Sequence, residues 1–116
     1  MPPVLTFMLA SFFLVAATTA EASGGTGEYE LDWSGRHEVL AYHSCGCADD
    51  CWVAEVRDRR TRQRKARLRC DCEKAFYALG RAGREKPYAE TCESLNTEQK
   101  PAAIAKAMRK LLGRPG

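Results

Sequence analysis

The sequence contains no H-E-x-x-H pair, no G-x-S-x-G nucleophile elbow, no phosphate-binding glycine loop and no carboxylate pair placed to shift in pKa. Ser44 beside His43 is adjacency without the third partner a triad needs. These absences, in a chain too small for a deep pocket, lead to the expectation that it is not an enzyme and uses no cofactor. Zinc-finger, helix-turn-helix and RNA-binding motifs are missing as well, so a nucleic acid is not the expected partner. No cysteine precedes Cys45, which leaves no lipid acceptor at a processed N-terminus, and there is no internal repeat.

Only one hydrophobic run raises the question of a membrane, and it is short. Val4 to Ala17 covers about 21 Å as a helix, against a bilayer core of about 30 Å. That length suits a signal-peptide core, and Ala20-Glu21-Ala22 matches the A-x-A cleavage pattern, with Thr18-Thr19-Ala20 as a rival. The expected organisation is a signal peptide over 1–22, a flexible Gly- and Ser-rich leader over 23–28 and a single disulfide-stapled domain over 29–116. The expected location is secreted or periplasmic, with no transmembrane segment in the mature chain. Losing Glu21 would raise the formal net charge of +3 by one.

Six cysteines are present: Cys45, Cys47, Cys51, Cys70, Cys72 and Cys92. An even, clustered set in a small exported chain reads as three disulfides, whereas in a reducing compartment it would read as a metal site. A bridge within either C-x-C pair would close too small a ring, because extended residues two apart hold their Cβ atoms beyond bridging range. The expected scheme joins the two C-x-C regions and ties Cys92 back to one of them. His43, Cys45 and Cys47 form H-x-C-x-C, which with Cys70 and Cys72 supplies the alternative of an envelope metal-binding or redox protein. His37 and His43 fall on one face if their segment is a strand.

Three segments read as strands: His37 to Cys45, rich in Val, Leu, Tyr and Ala, and Cys51 to Asp58 and Lys65 to Cys72, which alternate. Their apolar rows, Trp52/Ala54/Val56 and Ala66/Leu68/Cys70, predict an antiparallel meander whose register stays open. Glu73 to Leu79 is compatible with a short helix, since Phe76 and Leu79 lie three apart. Thr97 to Leu112 predicts a longer amphipathic helix with Ile104, Met108 and Leu111 on one side. The expected fold is therefore α+β: a small disulfide-rich domain with a three-stranded meander, a short helix and a longer C-terminal helix.

The sharpest local signal is charge. Between Arg57 and Arg69 stand Arg57, Arg59, Arg60, Arg62, Arg64, Lys65, Arg67 and Arg69, against the single acid Asp58. Crowded guanidiniums recover electrostatic energy by pairing with carboxylate, sulfate or phosphate. These residues are the candidate anion-binding set, for an acidic protein, an anionic polysaccharide or an anionic lipid surface. The bland reading is a solvated hairpin whose charge keeps an exposed sheet edge from pairing with other chains. The C-terminal helix is also basic, and either packs on the sheet or rests on an anionic surface. Trp33, Trp52, Tyr29 and Tyr42 divide between core and a binding patch. The functional expectation is an exported, non-catalytic binding protein, with an inhibitor of a secreted hydrolase as a further alternative.

Overall fold

The computed structural model describes residues 27–115. The expected signal peptide, and the leader as far as residue 26, lie outside the described residues.

Six strands form one antiparallel sheet in simple chain order: β1 (Tyr29–Leu31), β2 (Glu38–Gly46), β3 (Cys51–Asp58), β4 (Arg64–Asp71), β5 (Ala75–Leu79) and β6 (Lys86–Ala89). One α-helix follows, α1 (Lys100–Leu111). The expected three-stranded meander with two helices is thus overturned: the sheet is twice as wide, and Ala75–Leu79 is a strand. Two physical reasons account for that segment. Gly80, at φ 73°, stops it after five residues, too few for a stable helix, and Phe76 and Tyr77 suit a pleated surface. It also finds an open edge, where Tyr77 pairs with Leu68 and Ala75 with Cys70. At three and four residues, β1 and β6 are too short to display an alternation in sequence. Pro87 is tolerated in β6 because that strand lies at the sheet edge.

The register of the central pair is set by apolar matching. Trp52 faces Cys70, Ala54 faces Leu68 and Val56 faces Ala66, which leaves Cys51 opposite Asp71. Residues paired across strands share a face, so Leu40, Tyr42, Trp52, Ala54, Val56, Ala66, Leu68 and Cys70 form one buried layer. The helix covers it with Ile104, Ala105, Ala107 and Met108, at helical spacing. The helix begins three residues later than expected because Thr97 Oγ1 accepts the Gln99 N–H in a local turn, and Pro101 sits in the first turn. Gly113, at φ 68°, ends it.

The other face has no second layer among the described residues, yet Val39, Ala41 and Ala78 are buried there. Their cross-strand neighbours explain this. Val39 pairs with Arg57 and Ala78 with Arg67, whose long aliphatic stems cover the small apolar side chains.

All six cysteines are bridged, as Cys45–Cys51, Cys47–Cys72 and Cys70–Cys92. One bridge joins the two C-x-C regions, one ties Cys92 to Cys70 in the core, and one closes the β2–β3 hairpin. No helix among the described residues is long and apolar enough to cross a membrane.

Candidate functional site

In an up-and-down meander alternate turns lie at opposite ends of the sheet. The β1–β2, β3–β4 and β5–β6 turns therefore share one end, and the β2–β3 and β4–β5 turns share the other with the segment joining β6 to α1. The first end carries Arg36, Arg59, Arg60, Arg62, Arg81 and Arg84 in its turns, against Asp32 and Glu85. At the second stand Asp49, Asp50, Glu73, Glu90, Glu93 and Glu98, against Lys74 and Lys100, the latter paired with Asp49. Mild net charge conceals this bipolar distribution.

The eight basic residues of the Arg57 to Arg69 stretch divide into two groups. On the uncovered sheet face, both terminal nitrogens of Arg57 donate to the Glu28 carboxylate at 2.6 and 3.0 Å, and its Nε donates to Glu55 at 2.9 Å. Arg67 Nε donates to the other oxygen of Glu55 at 2.7 Å. Burial alone would raise the pKa of Glu55, but Arg67 and Arg57 hold it below its ordinary value. Arg69 grips Glu85 and lies 4.6 Å over the Phe76 ring. Lys65, at the β-bulge opposite Val56 and Arg57, reaches Glu38 at 2.6 Å. These four cations are paired within the fold, chiefly by acids distant in sequence.

Glu38 is the most enclosed charge among the described residues, its side chain only 2 % exposed. Its carboxylate accepts from Arg114 Nη2 at 2.8 Å, from Lys65 Nζ and from Trp33 Nε1 at 3.0 Å. The Arg114 pair, followed by Lys65 and Trp33, overcomes burial and holds the Glu38 pKa at about 2. One carboxylate thus fastens the β1–β2 turn, the arginine-rich hairpin and the residues after α1. Gly35 passes so close that an added Cβ would lie 2.2 Å from the Glu38 carboxylate.

The remaining arginines lie at the hairpin tip or in the adjoining turns. Asp58 Oδ1 accepts the backbone N–H groups of Arg60 and Thr61, while Arg62, at φ 65°, turns the chain so that its own N–H reaches the Asp58 carbonyl. Those backbone bonds hold Asp58 below the usual carboxylate range. Arg59, Arg60 and Arg62 are exposed, and the nearest acid to Arg59 is Glu30 at 4.0 Å. Arg64 spends its donors on carbonyls, with Nε on Gly80 at 2.9 Å and Nη2 on Gly83 at 3.2 Å, and so keeps its charge uncompensated.

Hydrogen bonds knit the three turns together. Arg59 N–H donates to the His37 carbonyl at 2.7 Å, joining the β3–β4 turn to the β1–β2 turn, and Arg64 joins it to the β5–β6 turn. Arg36, Arg81 and Arg84 were not legible as part of this end. They stand alone in sequence, and the signal that places them is the turn order of the meander. The hairpin joins the two central strands, so its charge does not guard a sheet edge.

The histidine pair does not form. His37 lies in the β1–β2 turn at φ 61°, and His43 stands on β2, 3.9 Å from Glu28. The sulfurs proposed as metal ligands are bonded to one another, and no cluster of three or more His, Cys, Asp or Glu side chains suited to a metal is found among the described residues. Tyr42 and Trp52 are core and stack at 6.0 Å, Trp33 is half-buried against Glu38, and Tyr29 is exposed. A depression of about 700 Å³ against β5 and β6 is lined by Phe76, Pro87 and Tyr88, with Lys74 and Glu90 at its margin. It gathers no convergent polar set. Compared with family models, curated proteins and solved structures, the chain finds no match in any of the three.

Proposed function

We propose that this chain is a small exported, non-catalytic binding protein whose arginine-rich end contacts an anionic macromolecule or envelope surface. The observation that carries the reading is the division of the cations. Four of the basic residues in the hairpin are paired internally, whereas Arg59, Arg60 and Arg62 project from a hydrogen-bonded turn, with Glu30 at the limit of pairing distance from Arg59 and Glu28 acting on Arg62 only through space. A rigid turn loses little conformational entropy when its side chains engage a partner, which favours binding by preorganisation. Three disulfides suit an oxidising compartment, where secreted and periplasmic proteins reside.

The test is retention on a sulfated polysaccharide matrix and on anionic vesicles across a salt gradient, for the wild type and for R59Q/R60Q/R62Q. The wild type should bind at least one of them with a steep salt dependence, and the triple variant should bind weakly with a flatter one. Equal binding of both proteins, or no binding by the wild type, would overturn the proposal.

A further inference from the structure

The three turns of the arginine end follow one another along it, because the strands they connect are adjacent in one sheet. Neighbouring strands are about 4.8 Å apart, so successive turns at one end are about 10 Å apart and the row of three spans about 20 Å. Each turn carries exposed guanidinium groups: Arg36 in the first, Arg59, Arg60 and Arg62 in the second, Arg81 and Arg84 in the third. The bonds from Arg59 to His37 and from Arg64 to Gly80 and Gly83 hold the row in place before any ligand arrives.

Resting on the reading above, we infer that the ligand is a linear polyanionic polysaccharide, sulfated or uronic, lying across all three turns. A row at regular spacing suits a chain with regularly repeated anionic groups better than it suits a rounded acidic protein surface. Bidentate guanidinium pairing suits sulfate and carboxylate alike. An anionic bilayer is a poorer match, since the one large exposed hydrophobic residue at this end is Leu79, and durable adhesion to lipid draws on buried apolar area. A single-stranded nucleic acid is poorer still. The exposed residues of these turns include no Phe, Tyr or Trp on which bases would stack, and Trp33 is turned onto Glu38. The acids at the far end of the sheet repel a polyanion there and confine it to the arginine row.

The experiment is calorimetric titration of the folded domain with heparin-type oligosaccharides graded from disaccharide to decasaccharide. The variants R36Q, R81Q/R84Q and R59Q/R60Q/R62Q are titrated alongside the wild type, and circular dichroism confirms their fold. Affinity should rise with length and level off once the chain reaches about 20 Å. R36Q and R81Q/R84Q should each weaken binding of the decasaccharide about fivefold or more, and leave the disaccharide unaffected. If only the central triple variant matters, the extended row is wrong while the hairpin reading survives. If anionic vesicles or a single-stranded oligonucleotide of matched charge bind more tightly than the decasaccharide, the polysaccharide assignment falls. If no probe binds, the broader reading falls with it.

Discussion

At one end of the sheet the β2–β3 and β4–β5 turns and the chain after β6 are stitched by three disulfides, whereas at the other the β1–β2, β3–β4 and β5–β6 turns are held without a covalent bridge, by hydrogen bonds, ion pairs and the packing of Trp33. The bridged end tolerates backbone strain. Cys47, Ala48 and Asp49 all have φ between 53° and 71°, a run that costs roughly 1 to 2 kcal/mol per residue outside glycine. Asp49 is anchored there by the Tyr42 hydroxyl at 2.7 Å and the Lys100 ammonium at 2.8 Å, and Asn96 joins Trp52 to Asp50. The arginine end has single left-handed residues at His37 and Arg62 rather than a run, and carries a further burden, the mutual repulsion of its cations. The comparison teaches that covalent bridging secures one end of a small core, while the free end carries charge that a partner can use.

The largest effect expected from breaking this asymmetry comes from the two bridges that close long loops, of which Cys70–Cys92 is also buried in the core. C70A/C92A should lower the unfolding free energy by about 3 kcal/mol and C45A/C51A by about 2 kcal/mol, because the first closes the longer loop. Urea denaturation under oxidising conditions would measure both. A larger loss from the shorter loop would contradict the loop-entropy account.

Next comes the one buried carboxylate at the arginine end. Glu38→Gln should cost about 2 kcal/mol by leaving Arg114 and Lys65 without their shared charge, and G35A should destabilise the same cluster by collision. Because the folded pKa of Glu38 is depressed from 4.5 to about 2, its contribution is fully present above pH 4.5 and is lost as the pH falls towards 2. Acid titration of stability should therefore be shallower in that window for E38Q than for the wild type. Equal slopes would show that Glu38 is not held as described.

How much of this the sequence displays depends on length and locality. The β3 and β4 strands have eight residues each and alternate, so their apolar rows are visible, while the nine-residue β2 shows as a run of Val, Leu, Ala and Tyr buried on both faces. Leu79, three residues beyond Phe76, imitates a helical face in the five-residue β5, and the Gly80 stop together with the open edge of β4 decides otherwise. The arginine cluster was visible as composition. Its division was not, because Glu28 lies 29 residues from Arg57 and Glu38 lies 27 from Lys65, and both pairs exist only once the strands align. The same long-range pairing brings Arg36, Arg81 and Arg84 to the hairpin.

Two smaller effects sharpen the contrast between the ends. Ala48→Gly should stabilise the protein by up to about 1 kcal/mol, since its left-handed conformation suits glycine. An unchanged or lower thermal midpoint would speak against strain at the bridged end. R59Q/R60Q/R62Q should shift stability by less than about 0.5 kcal/mol, because these side chains touch little of the fold. A loss of several kcal/mol would make them structural.

The most direct test is an amide chemical-shift titration of the labelled domain with a heparin-type decasaccharide, read residue by residue. The account predicts that shifts concentrate in residues 32–37, 59–64 and 80–85 and leave the bridged turns at 47–50 and 72–74 unmoved. Shifts centred on the bridged end, or none at saturating ligand, would contradict it.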